Sequence, residues 1–319
     1  MEYRTLGRSG LKVSAISLGS WITFGQSVDD DATEACMTAA YDAGVNFFDG
    51  AEAYGRGQAE LAMGRVFQKN GWDRDTLVIS TKIIHFGDWP TQKGVSRKHL
   101  VEAVDAALER MGLDYVDLCF CHRPDGVTPP EEIVHTMNQL ITRGKILYWG
   151  TSEFSPFELH ELCAFAERHG LVGPLMEQTN HSMLHRHRVE GELKPLFDRF
   201  GLGTTIYSPL AQGVLTGKYN DGAPKGARIT ERKSDGPKPL LAEEKLNKVR
   251  QLTAIADELN ISMAQLALAW TLKNPDVSTA IIGATKPSQI ADNVAAVDAV
   301  QKLTHDVMEK IEGILDNKP

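Results

Sequence analysis

An aspartate, a lysine and a histidine each end a short apolar run of this sequence, and a tyrosine follows the aspartate in the segment AEAYGRG. The tyrosine, Tyr54, carries a hydroxyl with a pKa near ~10 in water, which is high for proton donation at neutral pH. We expect a neighbouring Lys82 ammonium to lower this pKa, and an ion pair with Asp49 to keep Lys82 protonated. His122 adds a hydrogen-bond donor for a substrate carbonyl oxygen. These residue types suit an acid that neutralises the alkoxide formed when hydride adds to a carbonyl.

A hydride must come from a cofactor, because no protein side chain donates one. The usual dinucleotide fingerprint is absent, since residues 55–60 (GRGQAE) lack the third glycine. Residues 212–219 (QGVLTGKY) do not form a P-loop either, because the glycine spacing is short and tyrosine replaces Ser/Thr. A nucleoside triphosphatase is therefore not supported, and any dinucleotide must bind in another way.

The elements that must position these side chains alternate between short β-rich runs and amphipathic helical stretches. The predicted strands are residues 15–21, 46–51, 77–83, 115–122, 146–152, 175–180, 203–208 and 279–283. Each is rich in apolar residues, as strands buried on both faces should be. Such alternation requires parallel pairing with right-handed crossovers. Eight units favour a closed (β/α)8 TIM barrel, with an open doubly wound sheet as the alternative. In a barrel, Asp49, Lys82 and His122 would meet at the carboxyl ends of the strands.

Helical segments separate the predicted strands. The clearest are residues 32–43, 97–111, 130–143, 157–169, 241–259 and 286–297, with an extra C-terminal helix at 304–315. In the second of these, Ser96 can cap the start and Gly112 can end the helix. The stretch from 211 to 240 contains several Gly and Pro residues and predicts a long loop over a ligand. We therefore expect residues 1–319 to form a single barrel domain.

Charge and cysteine usage restrict the classes of protein further. The chain has 319 residues, with 34 Lys+Arg against 42 Asp+Glu and a formal net charge of -8. No global positive field favours nucleic acid or an anionic membrane surface. There is no apolar signal-peptide core at the N-terminus and no run of ~18 apolar residues. Four dispersed cysteines do not form a secreted disulfide framework, so Cys119 and Cys121 are interpreted as buried thiols. These features predict a cytoplasmic protein that neither binds nucleic acid nor inserts into a membrane.

Six stretches of the sequence, in this order, resemble the aldo-keto reductases over nearly the whole chain. They are residues 46–54 (NFFDGAEAY), 80–82 (STK), 122–125 (HRPD), 150–152 (GTS), 208–219 (SPLAQGVLTGKY) and 281–293 (IIGATKPSQIADN). The resemblance is greatest to the branch that contains voltage-gated potassium channel beta subunits and related bacterial reductases. It implies that Asp49, Tyr54, Lys82 and His122 form a catalytic tetrad. Some channel subunits replace the histidine, so His122 favours an active enzyme.

The same resemblance implies a site for NADPH/NADP+. Ser152 and Gln178 would bind the nicotinamide carboxamide, and Tyr207 would stack on the nicotinamide ring. Other contacts implied near the nicotinamide and pyrophosphate are Gly19, Trp21, Ser208, Pro209, Leu210, Ala211, Gly213, Lys218 and Arg228. The adenosine end would involve Gly283, Thr285, Lys286, Gln289, Asp292 and Asn293. Many relatives have arginine at position 289, but the channel-like branch also has glutamine there and prefers NADPH. The family commonly has asparagine where this chain has Glu153.

His181, His185 and His187 form a cluster that raises the question of a metal. The segment lacks Cys or carboxylate ligands at a suitable spacing, and Arg186 lies within it. We therefore expect a solvated surface and no metal site. Trp21, Phe86 and Trp89 stand near predicted strand ends, where they would form either the apolar wall of a substrate pocket or part of the packing.

Three functions compete at this stage. The first is an NADPH-dependent reductase of small aldehydes or ketones with Tyr54 as the proton donor. The second is a nicotinamide-nucleotide-sensing regulatory subunit of a potassium channel or another partner. The third is a barrel enzyme that uses Lys82 as a Schiff-base nucleophile, which pairing with Asp49 disfavours. The related branch often forms tetramers or larger rings, so a homo-oligomer is also expected.

Overall fold

Two short strands at the N-terminus pair antiparallel ahead of the main sheet. They are Tyr3–Thr5 (β1) and Lys12–Ser14 (β2). The structure is a computed structural model, which describes residues 1–222, Pro224, Ile229 and residues 239–319. Leu6 and Val13 of this hairpin are wholly buried and pack with apolar side chains from the barrel strands. The hairpin therefore covers one end of the barrel, and the sequence analysis did not predict it.

A closed barrel of parallel strands follows. Its strands are Ile16–Gly19 (β3), Phe47–Asp49 (β4), Val78–Ile83 (β5), Val116–Cys121 (β6), Ile146–Ser152 (β7), Met176–Asn180 (β8), Gly203–Tyr207 (β9) and Val277–Ile282 (β10). Each strand pairs with the next one along the chain, and β10 closes the ring against β3. The predicted (β/α)8 barrel is confirmed, and the open doubly wound alternative is wrong.

Helices lie between the strands. Those with described bounds are Asp30–Asp42 (α1), Gln58–Asn70 (α2), Arg97–Met111 (α3), Pro130–Thr142 (α4), Pro156–His169 (α5), Lys194–Phe200 (α6), Glu243–Glu258 (α7), Met263–Lys273 (α8), Pro287–Val294 (α9), Ala296–Ala299 (α10) and His305–Leu315 (α11). Ser96 caps α3 by accepting a hydrogen bond from the His99 backbone N–H, and Gly112 ends it with φ 65°. The predicted limits of α3 are therefore confirmed. Helices α2, α6 and α8 were not predicted.

The helices pack their apolar faces against the outside of the barrel. The main cluster joins residues of every barrel strand except β8 with residues of α1 to α5. A second cluster packs α7, α8 and α11 together, with Tyr219 and Leu215 from the segment after β9. All four cysteines are buried and free, as predicted for Cys119 and Cys121. Among the described residues, no helix is long and apolar enough to cross a membrane.

The histidine cluster after β8 is not a solvated surface throughout. His185 and His187 are exposed, but His181 and Arg186 are buried. His181 stacks on Trp270 with ring centroids 5.3 Å apart. Helix α11 covers the segment, because Glu312 pairs with Arg186. The surface interpretation was therefore wrong for His181 and Arg186, because Trp270 and Glu312, which cover them, lie far away along the chain.

Candidate active site

The carboxyl ends of β4, β5 and β6 bring three of the predicted catalytic residues together. Asp49 is the last residue of β4, Lys82 lies near the end of β5, and His122 directly follows β6. The parallel register places the Asp49 backbone beside Ser80 and the Lys82 backbone beside Phe120. Tyr54 reaches the same end of the barrel from the loop between β4 and α2. The alternating pattern of strands and helices thus leads directly to one cluster of polar side chains.

Lys82 is the centre of this cluster. Its Nζ donates to Asp49 Oδ2 at 2.6 Å, to the Gly50 carbonyl at 2.8 Å and to the Tyr54 hydroxyl at 3.1 Å. The side chain is 0% exposed. Burial alone would lower the pKa of Lys82, but the charge of Asp49 and the hydrogen bonds to Asp49 and Tyr54 raise it overall. Lys82 therefore remains an ammonium, which argues against a Schiff-base role because that reaction needs the neutral amine.

Two further side chains fix the Asp49 carboxylate. Ser80 donates its hydroxyl to Asp49 Oδ1 at 2.8 Å, and the Gln178 side-chain amide donates to the same oxygen at 3.1 Å. Gln178 also donates to the Thr205 hydroxyl at 3.2 Å. Asp49 thus has partners for both carboxylate oxygens although it is almost wholly buried. The sequence analysis assigned no role to Ser80 or Thr205, and only the shared face of neighbouring strands could have suggested one.

His122 lies beside the tyrosine ring. The two rings meet edge to face, with centroids 5.7 Å apart and an interplanar angle of 76°. Burial lowers the pKa of His122 well below its ordinary value, and the positive charges of Lys82 and Arg123 act in the same direction. The imidazole is therefore neutral at pH 7. Its Nδ1 atom is buried and has no hydrogen-bond partner among the residues that the structure describes.

Burial raises the pKa of the Tyr54 hydroxyl above its ordinary value. The Lys82 ammonium opposes this shift, and the Asp49 carboxylate reinforces it. The expectation that Lys82 would lower the Tyr54 pKa is wrong for the net shift, because desolvation of the phenolate outweighs the ammonium. The hydroxyl therefore stays protonated at neutral pH, which is the state that can donate a proton.

A buried glutamate holds the loop that carries Tyr54. The Glu52 backbone N–H donates to the Lys82 carbonyl at 3.2 Å, and its Oε1 accepts from the Ile84 N–H at 2.7 Å. The other oxygen faces His99 Nε2 at 3.5 Å. Glu52 thus ties the tyrosine loop to the segment that follows β5. Sequence analysis missed it, although a glutamate between Asp49 and Tyr54 was visible.

The residues predicted for the nicotinamide end line the adjacent strands. Ser152 ends β7, Gln178 lies in β8 and Tyr207 ends β9, and the first two are almost wholly buried. Trp21 lies 6.4 Å from Tyr54 between ring centroids and is 37% exposed. At Gly19 a Cβ atom would lie 2.7 Å from the Ile281 side chain, so this position needs glycine. All of these residues lie at the carboxyl end of the barrel.

The segment after β9 has an unusual backbone. Ser208, Ala211, Gln212 and Gly213 all have left-handed φ values, between 46° and 93°. Such values are costly for residues with a Cβ and occur preferentially where a backbone meets a ligand. The Ala211 and Gly213 N–H groups donate to the Ser208 and Leu210 carbonyls, at 2.9 Å and 2.8 Å, so this backbone forms a tight turn. Residues predicted here for the pyrophosphate are Ser208, Pro209, Leu210, Ala211, Gly213 and Lys218. Arg228, also predicted, lies outside the described residues, as does most of the predicted loop beyond residue 222.

The predicted adenosine end lies on the surface that follows β10. Gly283, Thr285, Lys286 and Gln289 are exposed. Gln289 Oε1 accepts hydrogen bonds from the Thr285 N–H at 2.8 Å and from its hydroxyl at 3.3 Å. Asn293 is buried, and the Asp292 carboxylate accepts a hydrogen bond from Gln265 at 2.8 Å. The exposed side chain of Lys286 carries a positive charge on this surface.

The sequence model of the aldo/keto reductase family matches residues 15–316. The chain belongs to this family. It is 48% identical to an Arabidopsis thaliana protein named "Probable voltage-gated potassium channel subunit beta", over 100% of this chain and 98% of that protein. It is 47% identical over the same shares to a protein of the same name from Oryza sativa subsp. japonica.

Membership of the aldo/keto reductases supports an oxidoreductase activity, and the family generally binds NADH or NADPH. The residues of this chain fit such a cofactor in two respects. The buried Ser152 and Gln178 can receive a carboxamide. Lys218 and Lys286 supply local positive charge on an acidic chain.

Proposed function

We propose that this aldo/keto reductase reduces aldehydes or ketones to alcohols with NADPH, and that Tyr54 is the general acid. The observation that carries this proposal is the contact of Lys82 with both Asp49 and Tyr54, at 2.6 Å and 3.1 Å. NADPH, when bound, supplies the hydride that adds to the carbonyl carbon. The oxygen then needs a proton and hydrogen-bond donors, and the cluster offers both.

Each residue has a role that follows from its surroundings. Tyr54 keeps its proton until negative charge develops on the carbonyl oxygen, and then transfers it to that oxygen. Neutral His122 donates a hydrogen bond to the same oxygen. Lys82 stabilises the phenolate left on Tyr54, since its ammonium lies 3.1 Å from the hydroxyl. Asp49 holds Lys82 in place, and Ser80 and Gln178 hold Asp49.

The cofactor would extend from the tetrad across β7 to β10. We infer that Ser152 and Gln178 bind its carboxamide, that Tyr207 stacks on its ring and that residues 208–213 receive its phosphates. Lys286 and Gln289 would favour NADPH over NADH, because Lys286 can pair with a 2′-phosphate. The side-chain amide of Gln289 can donate to the same group.

The experiment that tests this proposal measures whether hydrogen from C4 of NADPH is transferred to the product. Purified protein is incubated with NADPH deuterated at C4, separately on each face, and with a panel of aromatic and aliphatic aldehydes and ketones. We expect NADPH oxidation, with deuterium from one of the two faces appearing on the carbinol carbon of the alcohol. No oxidation with any member of the panel would contradict the proposal. Alcohol formed without deuterium from either face would contradict direct hydride transfer.

A second candidate function rests on the relatives. Two of them are named as channel subunits and match this chain over its full length. A nucleotide-sensing regulatory subunit would bind NADPH and change the behaviour of a channel or another partner. The discriminating measurement compares channel currents with the wild-type chain and with Tyr54→Phe. A purely regulatory role predicts NADPH binding without turnover, whereas the proposed enzyme turns over without any partner.

A further inference from the structure

Arg123 directly follows His122 and lies at the mouth of the candidate site. Its Nη1 donates to the His122 carbonyl at 2.5 Å and to the Ser152 hydroxyl at 2.7 Å. Its positive charge acts on the hydroxyls of Tyr54 and Tyr207 as well as on the His122 ring. Arg123 therefore stands between the proposed proton donor and the proposed nicotinamide contacts.

This arginine is an exception among those that are buried or half-buried. Every other such arginine in the described part of the chain has a carboxylate partner. The pairs are Arg4–Glu2, Arg74–Asp117, Arg110–Glu60, Arg186–Glu190, Arg188–Glu153 and Arg250–Glu243. Arg123 has no ion pair with any described residue. A partly desolvated guanidinium without a counter-charge is costly, so the position is explained best by a ligand that supplies the charge.

The acids close to Arg123 along the chain or in space are committed elsewhere. Asp125 accepts hydrogen bonds from the backbone N–H groups of Val95 and Thr128, at 2.9 Å and 2.8 Å. Glu153 accepts from the Asn180 N–H at 3.0 Å and pairs with an arginine of its own. Neither carboxylate reaches the Arg123 guanidinium.

The charges of the tetrad do not balance Arg123 either. Asp49 and Lys82 form a buried pair whose charges cancel, and His122 is neutral. Arg123 thus leaves one uncompensated positive charge at the mouth. Its Nε and Nη2 atoms make no hydrogen bond to the described residues, so they are available to a ligand. A guanidinium offers parallel donors that match a planar carboxylate.

We propose that Arg123 is a specificity-determining residue that binds a carboxylate of the substrate, so that the enzyme prefers aldehydes or ketones bearing a carboxylate. This inference rests on the proposed function, since it concerns the substrate class of the same site. The carbonyl group of such a substrate would face Tyr54 and His122. Its carboxylate would accept hydrogen bonds from the free donors of Arg123.

The test compares charged and neutral substrates of nearly equal shape. The pairs are 4-carboxybenzaldehyde with 4-nitrobenzaldehyde, and 3-carboxybenzaldehyde with 3-nitrobenzaldehyde. For each pair, kcat/KM for the carboxyl substrate is divided by kcat/KM for the nitro substrate. This ratio is measured in the wild type, Arg123→Met, Arg123→Lys and the control Arg199→Met. Arg199 lies on the surface and pairs with Glu167, far from the reacting groups along the chain. Intrinsic differences in reactivity within a pair cancel between variants.

We expect the Arg123→Met ratio for at least one pair to fall at least about tenfold below the wild-type ratio, with nitro substrates little affected. Arg123→Lys should restore part of the preference, and Arg199→Met should keep the wild-type ratio. An Arg123→Met ratio equal to the wild-type ratio in both pairs would overturn the inference. So would an equal loss for both members of a pair with weaker NADPH binding, because Arg123 would then serve the cofactor.

A binding measurement separates this inference from the proposed function. Calorimetry with NADP+ present compares 4-(hydroxymethyl)benzoate with 4-nitrobenzyl alcohol on the wild type and Arg123→Met. Tighter binding of the benzoate that is lost in Arg123→Met supports the inference even if no aldehyde is reduced. If aldehydes are reduced but the benzoate binds no better than the nitro compound, the inference fails and the proposed function stands.

Discussion

The Nζ atom of Lys82 lies 2.6 Å from Oδ2 of Asp49, and both side chains are almost wholly buried. A buried ion pair is sensitive to the loss of one partner, because the remaining charge has neither water nor a counter-ion. Asp49→Asn should therefore lower the free energy of unfolding by about 3–5 kcal/mol. The double variant Asp49→Asn/Lys82→Met should recover most of that stability without recovering activity. Denaturant unfolding of the three proteins checks this, and equal stability of the wild type and Asp49→Asn would contradict it.

The pH dependence of reduction follows from the raised pKa of Tyr54. Tyr54 must be protonated to act as the acid, so activity is lost when pH rises through its pKa. Because burial raises this pKa above the ordinary value, kcat/KM should stay flat through neutral pH and fall only above about pH 10. The profile is measured with a substrate lacking ionisable groups, such as 4-nitrobenzaldehyde. A decline centred near neutral pH would mean that Lys82 controls the hydroxyl more strongly than burial does.

Much of the barrel, and the clustering of Asp49, Lys82 and His122, could be predicted because apolar runs mark strands buried on both faces. Asp49, Lys82 and His122 stand at the ends of such runs, and parallel pairing brings strand ends together. The net pKa shift of Tyr54 could not be predicted, because it is a balance between desolvation and charge that depends on the folded surroundings. Hydrogen bonds such as Ser80 to Asp49 depend on which side chains share a face of the barrel.

Other features could not be predicted because they depend on contacts between distant segments. The segment that contains His181 and Arg186 is polar and resembles a surface, but α11 and Trp270 cover it. The N-terminal hairpin has strands of only three residues each, which are too short for a periodic pattern. The contacts of Arg123 were missed although the motif HRPD was identified, since its partner Ser152 lies on the next strand.

The buried carboxyl group of Glu177 should make the stability of the fold depend on pH, independently of catalysis. It is wholly buried and accepts a hydrogen bond from Thr151. Burial raises its pKa to about 8, from 4.5. The folded protein therefore holds this proton up to about pH 8, whereas the unfolded chain releases it near pH 4.5. This group reduces stability as pH rises between these values, by up to about 1.4 kcal/mol per pH unit.

The glutamine of Glu177→Gln cannot ionise, so the variant should not lose stability in this way as pH rises. The free energy of unfolding of Glu177→Gln minus that of the wild type should therefore grow between about pH 5 and pH 8. Denaturant unfolding of both proteins at the two pH values measures the change. Glu167→Gln is the control, because Glu167 lies exposed on α5. A difference between wild type and Glu177→Gln that does not change with pH would mean that the Glu177 pKa is not raised.

We propose that the preference for NADPH over NADH depends on one exposed lysine, Lys286. NADPH should bind more tightly than NADH, because Lys286 can pair with the 2′-phosphate. Lys286→Met should weaken NADPH binding roughly tenfold and leave NADH binding unchanged. Nucleotide fluorescence titration gives the dissociation constants, with Lys145→Met as the control for loss of a surface charge. Equal affinities for NADPH and NADH in the wild type would count against the NADPH assignment.

In the proposed reaction Tyr54 donates the proton, while other residues hold the cofactor. Tyr54→Phe removes only the hydroxyl that Lys82 contacts, so the ring remains beside His122. The most direct measurement records kcat for aldehyde reduction and the dissociation constant for NADPH on the same preparation of wild type and Tyr54→Phe. We predict a loss of at least about 100-fold in kcat with NADPH affinity little changed. Wild-type turnover in Tyr54→Phe would mean that Tyr54 is not the general acid.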